Sequence, residues 1–122
     1  MARLHEYEGK RLLTEQGIAV PMGQAVRTPE EAEQIARDIG GPVVLKVQAW
    51  ITGRKSKGGV LCADPPAESK AAAAQLLDMS FGNFPVEEVL VEQCLNIAHE
   101  LFVSLTIDDA ARAPVLLLDC AG

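Results

Sequence analysis

The chain has 122 residues, 48% of them hydrophobic, which suits one ordinary domain with a modest core. Its 17 carboxylates against 11 Lys and Arg give a formal net charge of -6, and outside one short loop no basic stripe runs along it, which argues against a broad nucleic-acid footprint. Met1-Ala2-Arg3-Leu4-His5-Glu6 turns charged at once, which argues against a signal peptide or membrane span and for a cytoplasmic protein.

Leu4 to Gln16 reads as a helix with a weak apolar stripe, ended by Gly17 and kept ended by Pro21. Gly23 to Arg27 is a short strand. Thr28-Pro29-Glu30-Glu31 then supplies an N-cap, a proline at the first helical position and a capping-box glutamate. Ala32, Ile35, Ala36 and Ile39 recur at helical spacing until Gly40-Gly41-Pro42 stops the turn. Val43 to Gln48 is the next strand. Period-two alternation puts Val43, Leu45 and Val47 on the core face and Val44, Lys46 and Gln48 on the other, so the face with Lys46 must be partly open or must hold an anion.

Gly53-Arg54-Lys55-Ser56-Lys57-Gly58-Gly59 follows, with three cations and three glycines in seven positions. Backbone N–H groups bared by glycine can approach oxygen atoms closely, and a polyphosphate is the natural guest; the alternative is a solvated hairpin turn. The loop leads into the strand Val60 to Ala63 and not into a helix, which excludes a Walker loop. Asp64-Pro65-Pro66 caps a further helix through Lys70 to Met79, with Ala71, Ala74 and Leu77 or Asp78 marking its turns. Phe81 to Pro85 breaks it, and Glu88 to Gln93 returns to strand.

Glu100 opens an alternating strand to Ile107, Asp108-Asp109-Ala110-Ala111 turns, and Val115 to Leu118 is expected as a buried strand. The sequence stops just beyond it, so truncation is expected, with self-association through that strand edge. Cys62, Cys94 and Cys120 lack CxxC spacing and are read as buried apolar fillers, not as a disulfide framework or zinc site. The fold class is α+β, and a boundary near Leu95 to Glu100 separates two lobes of one fold.

Leu4-His5-Glu6-Tyr7, Gly17-Ile18-Ala19-Val20-Pro21, Thr28-Pro29-Glu30-Glu31-Ala32, Val44-Leu45-Lys46-Val47-Gln48, Gly53-Arg54, Gly58-Gly59-Val60, Leu90-Val91-Glu92 and Ile97-Ala98-His99-Glu100-Leu101 fall in one order. In that order the chain resembles the ATP-grasp family, and more closely the N-terminal part of the beta subunit of succinyl-CoA synthetase and related nucleoside-diphosphate-forming acyl-CoA ligases. The resemblance covers essentially the whole chain. It implies an N-terminal ATP-grasp lobe, a mixed sheet flanked by helices over about 20–95, with 1–19 and 96–122 belonging to a second lobe whose first hairpin is present.

The resemblance further implies a nucleotide site for ATP or GTP. Lys46 would contact phosphate oxygens, the Gly53-Arg54-Lys55 backbone would fold over the triphosphate, and Glu92 and Leu95 would sit at the base, the former largely through main-chain groups. Glu100 would accept hydrogen bonds from the ribose, so Lys46 and Glu100 should share one cleft. Magnesium ligands are expected downstream of this chain, CoA is a substrate of the complete enzyme, and the phosphate-carrying histidine belongs to an alpha subunit. His5 and His99 are therefore read as a helix-start residue and a surface strand residue. The implied activity is an acid–thiol ligase of the tricarboxylic acid cycle, with this stretch inactive alone. A malate or citrate-cleaving relative and a non-catalytic interaction module are the alternatives. Two departures stand out: Lys55 replaces a usual glycine and Trp50 a usual histidine.

Overall fold

The computed structural model describes residues 3–121; Met1, Ala2 and Gly122, on which the reading of both chain ends partly rests, lie outside them. Three helices, α1 (Glu6–Glu15), α2 (Pro29–Ile39) and α3 (Pro66–Leu77), alternate with the strands β1 (Gly23–Val26), β2 (Val43–Val47), β3 (Val60–Ala63) and β6 (Val89–Gln93). These four strands form one sheet in the order β1-β6-β2-β3. The sheet flanked by helices is α+β as expected, but every ladder in it is antiparallel, not mixed.

Alternation in β2 sends Val43, Leu45 and Val47 into the core, where β6 meets them with Val89 and Val91. The helices α2 and α3 cover this face. Small residues make that possible: Ala32 and Ala36 of α2 and Ser69 and Ala73 of α3 are fully buried, and the Ser69 hydroxyl lies 3.4 Å from the Ala32 carbonyl oxygen. The start of α2 is the capping box read from the sequence, since the Thr28 hydroxyl accepts the Glu31 N–H at 3.2 Å while the Glu31 carboxylate accepts the Thr28 N–H. Gly40 closes that helix in the left-handed conformation at φ 74°. In α3 the buried face is Ser69, Ala73 and Leu76, one position off the expected Ala74 and Leu77, and Pro65 rather than Asp64 stands at the N-cap.

Between α3 and β6 a tight hairpin pairs β4 (Ser80–Phe81) with β5 (Phe84–Pro85). The last two strands, β7 (Phe102–Asp108) and β8 (Ala113–Asp119), form a separate two-stranded sheet. Here two expectations fail. Glu100 stands two residues before β7 instead of opening it, and β8 is exposed, with Leu116 at 58% and Leu118 at 70%, because no other described element packs over it. The cysteines are not fillers either: all three are exposed, Cys62 on the edge strand β3 pointing away from the core.

Helix α1 buries no residue in the core and lies on the other side of the sheet, the side of Lys46. Gly23 permits the packing beneath it. It is paired with Glu92 across β1 and β6, and a Cβ at Gly23 would stand 2.5 Å from the Glu92 Cβ and from the Val91 carbonyl oxygen. Gly23→Ala should therefore lower stability by about 2 kcal/mol in chemical denaturation, through a clash with Glu92 and the Val91 carbonyl at the first pair of the β1–β6 ladder. Gly9→Ala, in α1 with nothing within 4 Å of the added methyl, should instead raise it by about 0.5 kcal/mol.

Candidate functional site

The strand register that sends Leu45 and Val91 inward turns Lys46, Val44, Leu90 and Glu92 to the opposite face. Glu92 is 2% exposed there, and a carboxylate so buried needs cations. It has two. Its Oε1 accepts from Lys46 Nζ at 2.5 Å and its Oε2 from Lys10 Nζ at 2.5 Å. A second carboxylate, Glu6 of α1, faces the same lysines: its Oε1 lies 2.9 Å from Lys46 Nζ and 3.0 Å from Lys10 Nζ. Arg54, from the glycine-rich loop, reaches the other Glu6 oxygen at 2.6 Å and also donates to the Val47 carbonyl at 3.0 Å.

The electrostatics follow from that arrangement. Burial works against ionising Glu6, but the hydrogen bonds and charges of Lys46, Lys10 and Arg54 outweigh it and hold the carboxyl at about 2, against an ordinary 4.5. Burial likewise opposes the Lys46 ammonium, and Glu92 and Glu6 overcome it, so the lysine is held above its usual range. Both groups are charged at neutral pH.

Two positive-φ glycines bracket the loop that carries Arg54, Gly53 at 67° and Gly58 at 76°. Residues between them wind into a helical turn in which the Lys57 N–H bonds the Gly53 carbonyl at 3.1 Å. Lys55, where the family expectation is glycine, sits inside this turn at an ordinary negative φ, so its Cβ strains nothing. Gly59 closes the loop against β2: a Cβ there would meet Val47 Cγ2 at 2.7 Å.

The structure thus brings Lys46, Arg54 and Glu92 together, and leaves Lys55 exposed at the tip. Glu92 takes part through its side chain; its main chain is flanked by β1 and β2 in the middle of the sheet. Leu95, half exposed, follows the point where Cys94 N–H makes a last bond to the Pro42 carbonyl at 3.0 Å. Glu100 is not joined to Lys46 by any contact among the described residues, and lines a separate depression of about 490 Å³ with Ile97, His99 and Cys120. His5 is the helix-start residue expected, its backbone N–H donating to Glu8 at 2.7 Å, whereas His99 lies in a loop and not in a strand.

Sequence reasoning missed Glu6, Lys10, Gln48 and Gly23. Glu6 and Lys10 form an i, i+4 pair on a helix with a weak apolar stripe, and only the sheet beneath gives them a shared role. Gln48 is 5% exposed with its Oε1 unpartnered, at the edge of a cleft of about 580 Å³. Trp50 forms a wall of that cleft and stacks on the His5 ring, centroids 4.1 Å apart. Magnesium finds no ligand set here: no three metal-ligating side chains cluster among the described residues, and Glu6 and Glu92 are both taken by cations.

A family profile described as the ATP-grasp domain matches residues 3–122, and the chain belongs to that family. It is 38% identical over 120 residues to the beta subunit of an ADP-forming succinate–CoA ligase from Pyrobaculum arsenaticum, covering 98% of this chain and 31% of that protein. It is 40% identical over 119 residues to the beta subunit of a GDP-forming succinate–CoA ligase from Thermus thermophilus, again covering 98% of this chain, and 32% of that one. The chain therefore spans about a third of the length of these relatives. Among solved structures, a dinucleotide-forming acetyl-coenzyme A synthetase from Ca. Korarchaeum cryptofilum, in complex with coenzyme A and Ca-AMPCP, superimposes with a TM-score of 0.84 at 27% identity. That match covers 98% of this chain and 54% of the other. The same enzyme carrying a phosphorylated phosphohistidine segment gives 0.76 at 27% identity, covering 98% and 53%.

The position of the Glu6 carboxyl sets a pH dependence. A carboxyl depressed in the folded state stabilises above its unfolded value, and that contribution is lost as pH falls from about 4.5 toward 2. Acid titration should cost the wild-type protein about 1–2 kcal/mol more over this window than Glu6→Gln, after allowance for solvent screening. Parallel denaturation midpoints for the two proteins would count against the ion network.

Proposed function

We propose that this chain is the nucleotide-binding N-terminal part of a succinate–CoA ligase beta subunit, working with ATP or GTP. The observation that carries the reading is the convergence of Lys10, Lys46 and Arg54 beside a glycine-rich tip, on an otherwise acidic chain. Three donors from a helix, a strand and a loop suit a group with several anionic oxygens. The relatives, one ADP-forming and one GDP-forming, support the reaction class and leave both nucleotides in play.

In this reading Lys46 and Arg54 hold phosphate oxygens, the Gly53-Arg54-Lys55 main chain covers the triphosphate, and Glu92 keeps Lys46 charged and in place. Leu95 borders the base and Glu100 takes the ribose hydroxyls, although Glu100 lines a depression separate from Lys46 in this structure. About 20–95 form the first lobe, and 1–19 and 96–122 belong to the second. Phosphoryl transfer depends mostly on positioning and charge neutralisation, which is what this chain's residues supply.

Phosphate would pass to a histidine of an alpha subunit and on to the carboxylate before CoA attacks the acyl phosphate. The phosphorylated phosphohistidine segment bound in the second structural neighbour supports that route. Magnesium would neutralise the triphosphate from ligands outside these residues, so this stretch alone has no turnover. A cytoplasmic location fits the pathway; among the described residues no helix is long and apolar enough to cross a membrane.

Isothermal titration of ATP and GTP into the complete subunit tests the reading. Lys46→Ala should weaken binding at least about tenfold, the value of one lost charge-assisted contact. Equal affinities for the two proteins would favour a non-catalytic interaction module.

A further inference from the structure

Glu6 is the one carboxylate among the described residues that touches all three cations of the site. Its Oε1 is shared by Lys10 and Lys46 at 3.0 and 2.9 Å, and its Oε2 is held by Arg54 at 2.6 Å. Glu92 differs in kind. It rises from the central strand β6, is buried, and satisfies only the two lysines. Subtracting Glu92 from three cations leaves two positive charges, of which Glu6 neutralises one. Removing Glu6 would leave Lys10 and Lys46 with Glu92, and Arg54 with the Val47 carbonyl, and would empty the position where all three now converge.

We propose that the Glu6 carboxylate is a resident surrogate for phosphate in a cradle formed by Lys10, Lys46 and Arg54, and that an incoming phosphate group binds by displacing it and lifting the start of α1. The inference rests on the nucleotide reading of the same site, adds Lys10 to its ligands, and assigns the helix a gating role. The parts are built for exchange. Helix α1 buries no residue in the core, and it is tied to the sheet face by these ion pairs together with the stack of His5 on Trp50 at its start. A phosphate carries at least as much charge as a carboxylate and a third oxygen, so each cation can keep a partner after the swap. No covalent step is involved.

The motion has a built-in reporter. His5 precedes Glu6 at the cap of α1, and its ring is stacked on Trp50, the sole tryptophan of the chain. Lifting α1 must separate that stack.

Inorganic tripolyphosphate is the probe, because it needs neither a base nor a ribose site. Glu6→Gln should bind it about tenfold more tightly than the wild type, since one competing charge is gone. Adding Lys10→Ala to that variant should cancel the gain. In the wild type, tripolyphosphate should change Trp50 emission and speed hydrogen exchange at α1 amides, a measurement that does not depend on any variant folding. Unchanged or weaker binding by Glu6→Gln would show that Glu6 is a strut for the lysines and overturn the proposal, as would α1 amides that keep or gain protection. If ATP binding still depends on Lys46 in that event, the nucleotide reading survives while the surrogate does not.

Discussion

One ammonium group sets the terms for this structure. Lys46 sits on the second strand of a four-stranded sheet whose opposite face is a closed aliphatic core, so its side chain can go only to the face shared with Glu92. Neither charge is stable there alone. Breaking a buried pair by removing one partner typically costs several kcal/mol, because the survivor is left without compensation. The pair therefore demands further partners, and Lys10 and Glu6 from α1 and Arg54 from the loop provide them. A helix that buries no residue in the core is tied to the sheet by these charges, and Arg54 of the glycine-rich loop meets the same point.

The rest of the fold serves that geometry. Antiparallel pairing of β6 between β1 and β2 fixes Glu92 two residues along from Leu90, which lies opposite Lys46, and the absence of a side chain at Gly23 leaves room for the carboxylate to lie over the sheet. Gly59 brings the loop within van der Waals range of Val47 and so lets Arg54 reach back to Glu6. On the far side, small residues of α2 and α3 pack into the core that the inward side chains of β2 join. A charged site on strands is better defined than one on loops alone. By contrast, among the described residues β7 and β8 pair only with each other, and most of their side chains are exposed.

Much of this was legible in the residues. The capping box at Thr28, the alternation of Val43 to Val47 and the glycine-rich break before Val60 are local signals, each carried by neighbours within a few positions, and the structure bears out the helix start, the strand and the turn they predict. What escaped was non-local. Nothing in Glu6 or Lys10 announces that the helix bearing them lies over Glu92, which is 82 positions from Lys10. The alanine-rich α3 hid its buried face because alanine fits either side of a helix, and β8 looked buried because four apolar residues in a row do not say whether anything covers them. The cysteines failed for a similar reason: composition predicts burial, but Cys62 falls on the outward side of an edge strand.

A structure of the protein with a non-hydrolysable ATP analogue would test the role of Lys46 most directly. The expected result is a phosphate oxygen within hydrogen-bond distance of Lys46 Nζ, with Glu92 still bound to the lysine and Glu6 no longer between Lys46 and Arg54. A triphosphate seated elsewhere, with Lys46 still clasped by both carboxylates, would contradict it.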